Sequence, residues 1–257
     1  MKTDFFIAGF QKCASTWLHR TLQGHPEVFL PSEHMVHFYD MHFERGLSWY
    51  EAFFDGAASG HIVGDATVTY ARSEIAMARI ARYNPDARVV MILRNPIDRA
   101  WSHYWHERKK GKIAFEFEEW ESNYDLFSDW ILPGFYTQHI DRVESLFGKD
   151  QLLVIFHDDV ASRPSEVLSS VCGFLGVDVK HLPAVGNSPI NKTVVGRQRR
   201  SGWSYLARCK VRSEEKAYAA GPSEQAVAQM RTVYLPVVRE LEKRFGRDLE
   251  RWLLPSA

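Results

Sequence analysis

The chain is predicted to be an α/β protein, a single domain over residues 1–257 in which helices flank one central parallel sheet. Three observations carry that expectation. Val89-Val90-Met91-Ile92-Leu93 is an unbroken apolar run, as a strand covered on both faces requires. Leu152–Phe156 is a second run of this kind, and helical patterns separate the strand candidates. No internal repeat, low-complexity tract or Pro/Gly/Ser-rich linker divides the sequence, and one α/β domain can reach 257 residues.

The first strand covers residues 4–8 and is closed by Gly9. A helix follows over Ser15–Gln23, where Trp17, Leu18, Thr21 and Leu22 share a face and Gly24-His25-Pro26 stops it. Residues 28–30 form a short strand before Pro31, and 62–67 another that leads into a helix over 73–83. Asn84-Pro85-Asp86 turns the chain into the strongest strand, Arg88–Leu93. Asn95-Pro96 then opens a helix, with Pro96 in its first turn, where a missing N–H is harmless. Trp101, Tyr104 and Trp105 recur at helical spacing and are assigned to the core, whereas Arg99 and Arg108 are assigned to the surface. A helix over Pro164–Leu175 follows the Leu152–Phe156 strand. A last, long helix over 223–245 is interrupted by Pro236 and ended by Gly246.

Lys+Arg and Asp+Glu both number 32, so no global charge argues for nucleic acid or an anionic membrane as partner. No apolar stretch approaches the roughly 20 residues a membrane span needs, and the run opening the chain is shorter than a signal-peptide core. Cys13, Cys172 and Cys209 are too few and scattered for a disulfide framework or a metal site. The expected compartment is the cytoplasm, and no metal is expected.

Two segments carry anion-binding chemistry. Gly9-Phe10-Gln11-Lys12-Cys13-Ala14-Ser15-Thr16-Trp17 joins a strand to a helix N-terminus, where unpaired N–H groups and the helix dipole favour an anion. Lys12 adds a point charge there, and the Ser15 and Thr16 hydroxyls add donors. The Walker A pattern sets Lys directly after its last Gly; here Lys12 lies early and Cys13-Ala14 replace glycines, which argues against a Mg²⁺-dependent P-loop kinase. The second segment begins at Arg94, on the C-terminal end of the strongest strand, where open parallel sheets bind ligands. Arg94 offers a planar fork for a phosphate, and Ser102, eight residues on, a short donor. Two anion sites on two strand ends imply a ligand with two separated phosphate-type groups, the geometry of 3′-phosphoadenosine 5′-phosphosulfate (PAPS). Residues 186–216, with Arg197, Arg199, Arg200, Arg208, Lys210 and Arg212, read equally as a solvated basic loop or a cationic flap over such a ligand.

These residues resemble the PAPS-dependent sulfotransferases, particularly the heparan sulfate N- and O-sulfotransferase-like branch and its bacterial relatives. Phe5 to Lys12 followed by Ser15-Thr16-Trp17-Leu18 looks like the family's 5′-phosphosulfate loop, and Arg94-Asn95-Pro96-Ile97-Asp98-Arg99-Ala100-Trp101-Ser102-His103-Tyr104 like its 3′-phosphate motif. Val36-His37-Phe38-Tyr39-Asp40, Asp65-Ala66-Thr67-Val68-Thr69-Tyr70, Gly134 with Tyr136, and the closing Phe245 to Trp252 are weaker echoes. The resemblance implies a P-loop NTPase-like sulfotransferase fold and transfer of a sulfuryl group from PAPS to a hydroxyl or amine, releasing adenosine 3′,5′-bisphosphate (PAP). It places Gln11, Lys12, Cys13, Ala14, Ser15, Thr16 and Trp17 on the 5′ side and Arg94 with Ser102 on the 3′-phosphate. Arg197 or a neighbour would close over that phosphate.

One departure concerns the base. The resembled branch carries a Glu directly before the position of Val36, and this chain has Met35, which cannot take a proton. In an extended segment Glu33 and His37 would share the face of Met35, and either can act as general base. His34 and Asp65 are lesser candidates. Cys13 is expected to serve as a small residue rather than a nucleophile. Residues 106–135, with Lys109, Lys110, Trp120, Tyr124 and Trp130, are expected to meet the acceptor, a saccharide or small molecule. The rival readings are a P-loop-type nucleotide or sugar kinase and a PAP-binding module without catalysis.

Overall fold

The computed structural model describes residues 2–113, 115–182 and 217–254. The chain divides into two compact units, the described parts of which are 2–94 with 136–182, and 95–113 with 115–135 and 217–254.

The first unit holds a five-stranded, wholly parallel sheet: β1 (Phe5–Gly9), β2 (Val28–Phe29), β3 (Ile62–Asp65), β4 (Arg88–Leu93) and β5 (Leu152–Phe156), in the order β2-β3-β1-β4-β5. All five strands are where the sequence predicts them, β2 and β3 ending slightly short. β1 and β4 lie inside the sheet and are apolar on both faces; Phe5, Phe6, Ile7 and Val89 to Leu93 are wholly buried. Every parallel crossover is helical. α1 (Ser15–Gln23) follows β1, and α2 (Phe38–Met41) and α3 (Leu47–Glu51) precede β3. α4 (Glu74–Tyr83), capped by the Ser73 hydroxyl, buries Ala76, Met77 and Ile80 at the i, i+1, i+4 spacing of one helix face.

Gly64 shows how tight the sheet surface is. A Cβ there would lie within 2.6 Å of three Phe5 ring carbons, and ring and backbone are both held by sheet packing. Gly64→Ala is therefore expected to destabilise the protein by about 1–3 kcal/mol through overpacking, read as a lower urea midpoint at unchanged m-value.

The second unit contains α5 (Pro96–Lys109). Its cap, Asn95, accepts from the N–H groups of Ile97 (3.0 Å) and Asp98 (3.4 Å) and donates to the Leu254 carbonyl at 2.5 Å. Back in the first unit, α6 (Tyr136–Phe147) precedes β5, and α7 (His157–Ser162) and α8 (Pro164–Leu175) follow it. The last helix, α9 (Glu224–Phe245), contains Pro236 without ending there, belongs to the second unit and stops at Gly246 in the left-handed conformation. Tyr104, Phe117 and Trp130 pack as one aromatic cluster, Tyr104 against Trp130 at 5.2 Å and Phe117 on Trp130 at 5.8 Å.

Two expectations about side chains need correction. Arg99 is wholly buried rather than a surface charge, and its Nη2 donates to the Trp130 carbonyl. A three-carbon stem and a weakly hydrated planar cation let Arg enter an aromatic interior where Lys would not. Trp120 and Trp130, expected to meet an acceptor, are 3% and 2% exposed and belong to the core; Tyr124 is 77% exposed. No described helix is long and apolar enough to cross a membrane.

Candidate active site

The connection from β1 leaves toward β2 on one side of the sheet, and that from β4 leaves toward β5 on the other. The C-terminal ends of β1 and β4 therefore flank a topological switch point, where α/β sheets hold ligands. The β1–α1 loop and Arg94, the parts of the two predicted segments that belong to the first unit, both lie there. The Phe10 N–H donates to the Ile92 carbonyl at 3.2 Å, tying the loop to β4. The Arg94 Nη1 donates to the Lys12 carbonyl at 3.1 Å, and the Tyr136 hydroxyl to the Arg94 carbonyl at 2.8 Å.

Within the loop, Lys12 (φ 68°) and Ala14 (φ 75°) are left-handed, and Cys13 between them is not. Alternation of hand turns successive N–H groups toward one side, forming an anion-binding concavity, and non-glycine residues persist there only when their surroundings hold them. Ala14 caps α1 without a side-chain hydrogen bond, so its side chain takes up none of the first N–H groups of α1. Cys13 is wholly buried, its thiol 3.6 Å from the Gln11 carbonyl, consistent with a packing role. Gln11, Lys12, Thr16 and Trp17 are partly exposed, and Ser15 is 5% exposed.

The candidate base segment is not extended. The chain bends over 32–34, and His37 is left-handed at φ 56°, so residues 33, 35 and 37 do not alternate on one face. Polar contacts fix the segment at both ends. At Pro31 the carbonyl accepts from Gln23 Nε2 (2.8 Å) and lies 3.1 Å from His19 Nε2. At the other end, Thr67 Oγ1 accepts from the N–H groups of Val36 (3.0 Å) and His37 (3.3 Å) and donates to Asp65 Oδ1 at 2.6 Å. The Tyr70 hydroxyl accepts from Phe38 (3.0 Å) and Tyr39 (3.4 Å) and donates to Asp65 Oδ2 at 3.1 Å, where the Tyr50 hydroxyl also donates.

Asp65 is thus a buried carboxylate that orients two hydroxyls, which in turn hold four backbone N–H groups. Burial pushes its pKa up to about 6, against the three hydroxyl bonds, which favour the ionised form. That environment suits a positioning group rather than the base. Gly9 abuts the same region, since a Cβ there would lie 3.0 Å from the Ala71 Cβ and 3.9 Å from the Val68 carbonyl. Gly9, where the loop begins, and residues 36–39 therefore both rest against the 67–71 stretch.

His37 and Glu33 part company here. Glu33 is exposed and accepts from its neighbour Ser32 at 2.8 Å. His37 has its Nδ1 at 3.2 Å from both oxygens of Asp40, and the Thr69 hydroxyl donates to Asp40 Oδ2 at 2.5 Å. Burial pushes the Asp40 pKa up, but hydrogen bonds from His37 and Thr69 outweigh it and hold the carboxyl below its usual range. An ionised Asp40 keeps the proton on Nδ1 and leaves Nε2 as the basic nitrogen. Asp40 and Thr69 were not singled out from sequence: i, i+3 spacing is a weak signal, and Thr69 comes from another element.

His34 packs edge-to-face against His19 of α1, 4.9 Å between ring centres. Burial, then the neighbouring His34, lowers the His19 pKa to about 4, although the Pro31 carbonyl raises it. A folded pKa below the unfolded one means that this stability is present above pH 6.5 and lost as pH falls toward 4. His19→Gln is expected to flatten the stability curve across that window, by about 2 kcal/mol at pH 4.5, as measured by urea unfolding at several pH values.

Ser102 lies in α5 of the second unit and is 2% exposed. Arg197 and the basic 186–216 segment lie outside the described residues.

Comparison with known proteins gives the chain a family. A sulfotransferase domain model matches residues 2–198. The chain is 28% identical over 254 residues to mouse heparan sulfate glucosamine 3-O-sulfotransferase 6, covering 94% of this chain and 71% of that one. It is 29% identical over 192 residues to human bifunctional heparan sulfate N-deacetylase/N-sulfotransferase 2, covering 67% of this chain but only 22% of that longer protein. A sulfotransferase from Alicyclobacillus acidocaldarius has the same fold, with a TM-score of 0.78 at 24% identity over 98% of this chain and 99% of that one. The loop between β1 and α1, the Arg94 motif and the family model fall on the same stretch of sequence, and the chain belongs to the sulfotransferase domain family.

Proposed function

We propose that the protein transfers a sulfuryl group from PAPS to a hydroxyl or amine of a saccharide or small-molecule acceptor and releases PAP. The observation that carries this is the convergence of Lys12, the alternating-hand loop and Arg94 on the ends of β1 and β4. A ligand with two anionic groups fits two anion-binding strand ends, and a phosphosulfate carries one of them.

In this reading the acceptor oxygen or nitrogen attacks sulfur in line, and the bond from sulfur to the bridging oxygen breaks. That oxygen leaves on the 5′-phosphate as charge builds on it. Lys12 and the N–H groups at the start of α1 stabilise this charge, with Ser15 and Thr16 beside them. The acceptor proton passes to His37 Nε2, and Asp40 stabilises the imidazolium that results. Trp17 packs beside the nucleotide. Arg94 holds the 3′-phosphate, and Ser102 is assigned to the same phosphate by its place in the motif. Arg197 is assigned to its closure on sequence alone.

Saccharides are the acceptor class favoured by the heparan sulfate relatives. The test is a thermal shift with PAP against ATP–Mg²⁺. PAP should stabilise the protein and ATP–Mg²⁺ should not; the reverse order would support a kinase. Arg94→Ala should weaken PAP binding by about 10²-fold, the loss of a charge-assisted bidentate contact worth about 1.5–3 kcal/mol, as measured by calorimetry.

A further inference from the structure

We infer that His157 is a further nucleotide contact beside Arg94, neutral in the free protein near pH 7 and cationic once the 3′-phosphate is seated, so that nucleotide binding takes up a proton. The inference rests on the nucleotide reading above and concerns a residue that the sequence motifs leave out.

The geometry comes from strand register. β4 and β5 pair in parallel with Leu93 opposite Phe156, so the next residues, Arg94 and His157, emerge side by side at the C-terminal edge of the sheet. Arg94 in turn donates to the Lys12 carbonyl. Lys12, Arg94 and His157 thus come from the ends of three adjacent strands, β1, β4 and β5, and all three are partly exposed. A row of this kind spans more than one anionic group.

The chemistry of the ring suits a conditional charge. Burial, then the Arg94 guanidinium, lowers the His157 pKa to about 4, and Asp158 partly opposes them. The ring is therefore neutral near pH 7 in the free protein. A dianion seated on Arg94 cancels the opposing charge and adds its own, both of which favour imidazolium. Arg94 and Asp158 are the charges that act on the ring.

Several other titratable groups on the surrounding elements have contacts of their own. On α7, Asp159 pairs with Arg163 at 2.7 Å; on α8, Glu166 pairs with the same Arg163 at 3.0 Å, and burial pushes the Cys172 thiol up. β5 carries no titratable group. On β4, Arg88 donates to the Leu175 carbonyl at 2.6 Å, and on α6, Tyr136 donates to the Arg94 carbonyl while Arg142 contacts His139 and Glu74.

The test is calorimetry of PAP binding to the wild type and to His157→Gln from pH 5.5 to 7.5, in buffers of different ionisation enthalpy. The phosphate monoesters of PAP titrate near pH 6 themselves, so the difference between the two proteins is the reading. The wild type should take up more protons than the variant, and its affinity advantage should grow about 3- to 10-fold as pH falls across this range. Adenosine 5′-phosphate, which lacks the 3′-phosphate, should show no such difference. His157→Asn repeats the comparison with a second amide should the first variant fold poorly. Equal proton uptake by both proteins would overturn the inference while leaving the nucleotide reading intact, and an equal difference with adenosine 5′-phosphate would overturn the 3′ placement. Failure of PAP to bind the wild type would overturn the nucleotide reading and the inference together.

Discussion

Lys12→Ala is expected to lower the rate of sulfuryl transfer by roughly 10²–10³-fold, the usual loss when one preorganised donor to a developing anion is removed. The reason is placement. Lys12 is held left-handed at the turn before α1, with its carbonyl tied to Arg94, so the backbone fixes where its ammonium can reach. The backbone N–H groups of the loop survive the substitution and, on the proposed reading, would still hold the 5′ end. PAP affinity should therefore fall far less than turnover. A kcat that drops while the Kd for PAP changes little is the expected split, measured by single-turnover transfer and calorimetry on the same preparation. Equal losses in both would make Lys12 a binding residue only.

The second large effect separates His37 from Glu33. His37→Asn should reduce kcat by about 10²-fold or more, the range for loss of a general base, whereas Glu33→Gln should stay within about twofold. His37 is fixed by Thr67 at its backbone and by Asp40 at its ring. Glu33 is exposed and meets only Ser32 among its described hydrogen bonds. If Glu33→Gln were the slower variant, the proton would pass to the carboxylate and the Asp40 contact would be structural.

Much of this was legible from residues alone. Buried parallel strands announce themselves as apolar runs, so β1, β4 and β5 and the loops at their ends could be read directly. Short connections could not. α2 and α3 are four and five residues long and carry too few periods to register a helical pattern. Arg99 misled because its charge suggests solvent while its stem and planar head allow burial among aromatic rings. The base segment misled for another reason: its shape is imposed from outside, by Thr67 and Tyr70 acting for Asp65, and a partner thirty residues away leaves no trace in local spacing. His157 was invisible for the same cause, since only strand register brings it beside Arg94.

The most direct measurement of the central claim is transfer of ³⁵S from labelled PAPS across a panel of saccharide, phenolic and amine acceptors, using the wild type and Lys12→Ala in parallel. The account predicts labelled product and stoichiometric PAP with the wild type and nearly none with the variant. Undiminished transfer by Lys12→Ala would contradict it.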